Sequence, residues 1–369
     1  MADRARGGTL VSVLAPGLPQ LLAGRFVEGC TALFMWVAGV AVLVIQPERV
    51  GAELGTGSAA GTASLWVLAA AGMAWAWSLW DVGLEEPPAR TGIAGQLLDD
   101  SWAAAGLAML AVALWAVFAA PILAPEDAAR TLETAPLLSP SRAHPMGTDA
   151  FGADVLERFL LGARGTLGLG LFAGLAGAAL GVLVGGVAGF SGGWIDRVLM
   201  RVVDFFIAFP KLVLLIAVVA ILEPGPIVLG GFIAFVQWPA LARIIRGDVA
   251  SVAKRDFVLA LRALGAGPRR ILFRHVLPNV QATLLVGGAL SVANAMLIEA
   301  GLAFLGLGLG ANDRSELSWG VLIRDGGNLT TGWWVGGFAG IALVIIVVAL
   351  HLVADGLRDA LDPRVEIQV

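Results

Sequence analysis

Tyrosine is absent, cysteine occurs once (Cys30), lysine twice and histidine three times in 369 residues. A single cysteine excludes an internal disulfide and a cysteine-based metal cluster, and it leaves the redox compartment open. His144, His275 and His351 stand too far apart for metal-ligand spacing, and no H-E-x-x-H occurs. Neither Lys211 nor Lys254 follows a G-x-x-x-x-G, so the chain has no glycine-rich cradle for ATP. Charge is scarce as well, at 14% of residues, where soluble domains carry about 25%. With a mean hydropathy of +0.85, this is the composition of an integral membrane protein. Where the charges fall then matters more than their sum. The opening MADRARGGTLVSVLAPGLP has only a short apolar run before Pro16 and Pro19, so a cleaved signal peptide is not expected.

Apolar runs of about 20 residues suit a bilayer core. Eight occur, at approximately 28–46, 63–82, 102–124, 166–190, 206–223, 227–245, 280–305 and 333–354. Residues 8–24 are apolar but broken by proline and glycine, which suggests an in-plane or re-entrant piece. Charge orients the set. Between 243 and 275 stand Arg243, Arg246, Lys254, Arg255, Arg262, Arg269, Arg270 and Arg274 against Asp248 and Asp256, so this connection is expected on the cytoplasmic side. Eight spans then put both termini inside and leave 125–165 and 306–332, each richer in acids than bases, outside. The expected fold is an all-α polytopic membrane bundle of about eight helices. Residues 1–100 form an N-terminal extension with two spans, and 101–369 a six-span domain with a cytoplasmic loop at 246–278.

Several features inside this frame invite a role. Gly177, Gly181, Gly185 and Gly189 recur every four residues, a stripe that lets another helix approach closely. Trp194, Trp238, Trp319, Trp333 and Trp334 lie near span ends and read as interfacial anchors. Asp204 and Glu299 are ionisable groups within spans, expected to be structural or to line a pathway. Gly189-Phe190-Ser191-Gly192-Gly193 fits G-x-S-x-G. Ser191 with His351 therefore poses an intramembrane serine hydrolase as an alternative. The same residues equally suit a tight turn where a span exits.

The loop has more order than a basic loop requires. On a helix Phe257, Ala260, Leu261 and Leu264 fall at i, i+3, i+4 and i+7, one apolar face, with Arg255 and Arg262 off it. Gly265-Ala266-Gly267-Pro268 ends that helix, a second short one carries Arg270 and Arg274, and Pro278 opens the next span. Two short helices across the cytoplasmic mouth are expected. Attraction to anionic headgroups needs only the charges; the Ala-Leu-Gly-Ala-Gly-Pro order asks for something else.

FVLALRALGAGPRRILFRHVLPN, Phe257 to Asn279, resembles the cytoplasmic coupling loop, the EAA loop, of ATP-binding-cassette importer permeases. It is most similar to the smaller permease type of the dipeptide/oligopeptide/nickel family. That family shows Tyr-Val-x-Ala-Ala-Arg-Ala-Leu-Gly-Ala-Ser and then Arg-His-x-Leu-Pro-Asn. Here Phe257 is the aromatic, Ala260 the first alanine, and Arg262 to Gly265 the Arg-Ala-Leu-Gly, while Arg274, His275 and Pro278 fall in the second motif. Leu261 replaces an alanine and Gly267 the serine. Further blocks agree in order: HPMGTDAFGADVLERFLLGAR, GGWIDRVLMRVVDFFIAFP, EAGLAFLGLGLG and LSWGVLI. The resemblance covers about 101–365 and leaves 1–95 outside it.

The resemblance implies half of a translocation pathway in a prokaryotic inner membrane. Its expected partners are a second homologous permease, two ATPase subunits, an extracytoplasmic solute-binding protein and the lipid bilayer, with no nucleic acid. No cofactor is expected on this chain, ATP and Mg lying on the ATPases, and the chain itself is not expected to be an enzyme. It also implies that the face of 257–264 seats on an ATPase, with Arg262, Arg269, Arg270 and Arg274 at the rim. The alternative from another class is a self-contained secondary transporter or channel, which would use paired intramembrane charges and work without partners.

Overall fold

The computed structural model describes residues 93–123, 135–309, 317–327 and 332–361, and it is helical nearly throughout. Its helices are α1 Ile93–Asp99, α2 Ser101–Leu123, α3 Val155–Ser191, α4 Gly193–Ala208, α5 Lys211–Leu222, α6 Pro226–Val252, α7 Asp256–Ala263, α8 Pro268–Ile271, α9 Gln281–Phe304, α10 Trp319–Asp325 and α11 Trp333–Leu361. Among the described residues the only β feature is an isolated bridge between Thr148 and Asp154. Five helical stretches among them are long and apolar enough to cross a bilayer, and the bent pair α4 and α5 makes a sixth. Six expected spans from 102 onward thus fall on helices. The expectations for 8–24, 28–46 and 63–82 lie outside the described residues.

The expected span at 206–223 is not one straight helix. Pro210 pushes Phe209 out of the helical region, to φ −86 and ψ 137. The chain turns by 78° there and restarts at Lys211. Other helices outrun their apolar stretches. α3 begins at Val155 and α6 continues to Val252, at 27 residues or about 40 Å. Arg243 and Arg246, read from sequence as part of a loop, therefore lie on a helix.

Two compact units divide the chain, one of Met1–Gly165 with Arg314–Val353 and one of Thr166–Asp313 with Ala354–Val369. In the first, buried Arg158 binds Asp149 and also reaches Asp325 at 3.1 Å. Asp149 Oδ1 also accepts the backbone N–H groups of Phe151 and Ala153, which leaves this buried carboxylate well satisfied. Trp319 stacks on Phe159 and donates to its carbonyl at 3.0 Å, while Trp334 donates to the carbonyl of Thr148 at 3.1 Å. These two rings are packing residues: both are buried, as is Trp238 in the other unit, so the anchor reading fails for all three. Trp194 and Trp333 are exposed, as an interfacial anchor would be.

In the second unit the glycine stripe of α3 lies against α6. A Cβ on Gly185 would collide with the carbonyl of Ala242, and one on Gly177 would come within 2.8 Å of the Gln237 side chain. The missing side chains let Gln237 Nε2 donate to the carbonyl of Ala173 at 2.8 Å. Beyond this seam, Leu169, Leu215, Leu229, Ile233 and Leu302 form one apolar cluster. Leu241, Ile245, Val249, Ile271 and Val276 belong to another.

Candidate functional site

The segment 253–280 grows out of the second of these clusters. Arg255 is extended at φ −70 and ψ 150 and α7 starts at Asp256, an acid in the first turn with Arg262 in the last, both favourable to the helix dipole. Gly265 ends the helix at φ 80. The N–H of Ala266 reaches back to the carbonyl of Leu261, and that of Gly265 to Arg262, each at 3.0 Å. This is a Schellman cap, and the contact it usually brings is present: Leu261 and Ala266 pack on the same apolar cluster.

Gly267 behaves differently. It is extended at φ −67 and caps α8 ahead of Pro268 at the first helical position. The expected second short helix does not stand alone. α8 runs into a π-helical turn, Leu272–Val276, then a 3-10 turn, Leu277–Val280, and then α9. Pro268–Phe304 is therefore one helical stretch of 37 residues, and only α7 stands apart. Pro278, without an N–H, falls in the 3-10 turn, and Asn279 Nδ2 donates to the carbonyl of His275 at 2.7 Å.

The apolar stripe expected on α7 divides in two. Val258 is fully buried and Leu261 partly so, and both pack with Ile271, Leu272 and Val276 and with Val249 and Val252 of α6. Phe257, Ala260 and Leu264 face outward, with Leu264 83% exposed, and Phe273 of the π turn is exposed too. Arg262 lies over the Phe190 ring at 5.3 Å, a cation–π contact. Arg255, Arg269, Arg270 and Arg274 are exposed and enter no ion pair among the described residues; His275 is half-buried. The inner face fixes α7 to its own unit, and the outer face is an apolar patch with a basic rim. Val258 and Phe273 escaped the sequence reading, because the period locates a stripe without saying which edge of it turns in.

The ionisable residues within spans separate by environment. Asp204 on α4 accepts from Arg243 on α6, and this pair is about half exposed. Further along the same two helices, Arg246 forks onto both carboxylate oxygens of Asp196, with its Nε at 2.9 Å. Two Asp–Arg links thus tie α4 to α6. Glu299 is fully buried on the inward face of α9, so its side chain does not reach an interface.

The G-x-S-x-G match has no elbow. Ser191 ends a 37-residue helix and Gly192 and Gly193 take φ 62 and 59 to turn into α4. A nucleophile elbow needs a strand entering a helix. The Nδ1 of His351 lies 2.7 Å from the carbonyl of Val347 on its own helix. The glycines are a turn between helices.

Known transport proteins resemble this chain over most of its length. Residues 181–367 match the model of the family described as binding-protein-dependent transport system inner membrane component. The dipeptide transport system permease protein DppC of Alkalihalophilus pseudofirmus is 36% identical over 272 residues, 73% of this chain and 88% of that one. The di/tripeptide transport system permease protein DppC of Pseudomonas aeruginosa is 38% identical over 267 residues, 70% and 87% of the two chains. The glutathione transport system permease protein GsiD of Pectobacterium atrosepticum is 35% identical over 262 residues, 70% and 85%. The chain belongs to the family of binding-protein-dependent transport system inner membrane components and is a permease component of an ATP-binding-cassette importer.

Proposed function

We propose that this chain forms half of an import pathway for small peptides or closely related solutes, and that residues 255–279 couple it to separate ATPase subunits. The observation that carries the reading is the two-faced α7. Its inner face is locked by Val258 and Leu261, and its outer face offers Phe257, Ala260 and Leu264 beside Phe273 and four exposed arginines. An apolar patch of this kind, rimmed by charge, suits a protein partner better than lipid headgroups.

The connections of α7 supply the mechanics. An ATPase that moves on binding ATP with Mg, or on hydrolysing the ATP, would pull on this helix. The cap at Gly265 and the shared apolar cluster pass that displacement to α6 and to the 37-residue stretch that becomes α9. A lever of this kind biases a two-state bundle from one end. A second homologous permease supplies the other half of the pathway, and a solute-binding protein delivers at the opposite side of the membrane.

The topology proposed is eight spans with both termini cytoplasmic, two of the spans lying in an extension at 1–100 and six in 101–369, in a prokaryotic inner membrane. Arg158 joins Asp149 and Asp325, which supports an even number of spans between those two segments. The peptide class rests on the dipeptide, di/tripeptide and glutathione permeases that the chain resembles.

The test is reconstitution of this chain with its partner permease, two ATPases and binding protein in proteoliposomes. ATP-dependent uptake of a dipeptide that requires every component is the expected result. Uptake by this chain alone, without ATP, would make it a self-contained transporter and sink the reading.

A further inference from the structure

Between α5, α6 and α9, at the point where the bent pair breaks, lies an open groove of about 600 Å³. That is within the usual size range of small-molecule sites. Its walls are apolar, but four polar side chains line it: Lys211, Gln237, Ser291 and Asn294. Ser291 and Asn294 stand at the middle of the 24-residue α9, and Gln237 near the middle of α6. Asn294 is exposed and Lys211 half-buried. A face in contact with hydrocarbon at this depth would carry neither an amide nor an ammonium group, because nothing there replaces their hydration. The groove therefore faces water or a polar occupant.

Its polar atoms have a direction. Gln237 is 6% exposed, and its Nε2 donates to the Ala173 carbonyl, which fixes the amide's orientation. Its Oε1 is buried, with no donor among the described residues, and does not open onto the groove. Ser291 spends its proton on the carbonyl of Gly287 at 2.7 Å, which leaves its oxygen free to accept. On the opposite wall α5 begins. Its N-cap is Pro210, which offers no side-chain cap, and the first N–H groups of the helix have no partner in the helix itself. Together with the Lys211 ammonium they make a positive end within a broken span. One wall accepts N–H groups, and the other attracts an anion.

We propose that this groove is the chain's own part of the solute path, and that it passes small peptides by their backbone. A free C-terminal carboxylate is held at Lys211 and the start of α5, and backbone N–H groups are met by Ser291 and Asn294. The rest of the lining, Ala240 and Ile298 among it, is apolar and discriminates little among side chains. The assignment deepens the peptide-import reading and rests on it.

The test uses the whole importer in proteoliposomes with Cys30→Ser, and places one cysteine at Asn294→Cys or, for comparison, at Leu175→Cys on an exposed apolar face of α3. Each is treated with an anionic and a cationic water-soluble methanethiosulfonate of similar size. The expected result is that Asn294→Cys reacts and Leu175→Cys does not. The anionic reagent should be faster by about tenfold, the effect of one nearby charge in a partly screened site. Adding Lys211→Met should remove the preference, and Lys211→Arg should keep it. Absence of reaction at Asn294→Cys would show that lipid or the partner permease covers the groove, and would overturn the proposal. Reaction with no preference for charge would show water without an anion site, and would overturn it too. Uptake of a dipeptide by the wild-type complex is measured beside these: if no peptide is taken up, it is the peptide reading itself that falls.

Discussion

The N–H of Ala266 donates to the carbonyl of Leu261 at 3.0 Å, and the six residues so closed turn on Gly265 at φ 80. Gly265 stands in that turn and Gly267 just after it, and their geometry assigns them different tolerances. Gly265→Ala places a Cβ in the left-handed region and is expected to cost about 1–2 kcal/mol. Gly267 is at φ −67 with open space around it. Gly267→Ser restores the residue the family carries there and adds a capping hydroxyl, for a gain of a few tenths of a kcal/mol. Thermal melting of the purified permease in detergent distinguishes them, and equal shifts would show that the cap is not formed.

A similar contrast lies within the seam between α3 and α6. Gly185→Ala drives a methyl group into the Ala242 carbonyl, whereas a Cβ on neighbouring Gly186 meets only Leu277 Cδ2, at 3.6 Å. The first is expected to destabilise by about 1–3 kcal/mol, as overpacking does, and the second by much less. The same melting assay reads both. Similar losses at 185 and 186 would show that α6 does not approach α3 through the stripe.

Arg158 is the cation of a buried cluster in the other unit, and Asp149 beside it is 2% exposed. Arg158→Met leaves that carboxylate uncompensated and is expected to cost about 3–5 kcal/mol. Arg158→Met with Asp149→Asn removes both charges and should recover part of the loss. Yield and melting point of the two variants check this. A double variant no better than the single would mean the pair is not coupled.

The apolar runs at 102–124, 166–190, 227–245, 280–305 and 333–354 were legible, because hydropathy reports what a bilayer demands of each stretch separately. What was hidden depends on pairs distant in sequence. α6 stays helical past its apolar run to Val252, and Arg246 within that extension is matched by Asp196, 50 residues away. Arg158 stays buried because Asp325 arrives from 167 residues on. Hydropathy scores both arginines as loop. The break at Pro210 was signalled, since proline constrains the residue before it, yet the apolar run on either side masked it. In the loop, period 3.6 identified Phe257, Ala260, Leu261 and Leu264 as one face. Val258, the residue that turns fully inward, lies one position off that count. The groove was the least legible feature, because Gln237, Ser291 and Asn294 are uncharged and sit on two different helices. The ionisable residues within spans, Asp204 and Glu299, lie elsewhere, one paired with Arg243 and the other fully buried.

The most direct test of coupling is Leu264→Asp in the complete importer, scored by copurification of the ATPase subunits. The Leu264 side chain is 83% exposed, so the variant permease should insert and melt within about 0.5 kcal/mol of wild type. The expected result is that this variant fails to retain the ATPases and that peptide uptake is lost. Retention of both ATPases with uptake at the wild-type rate would contradict it.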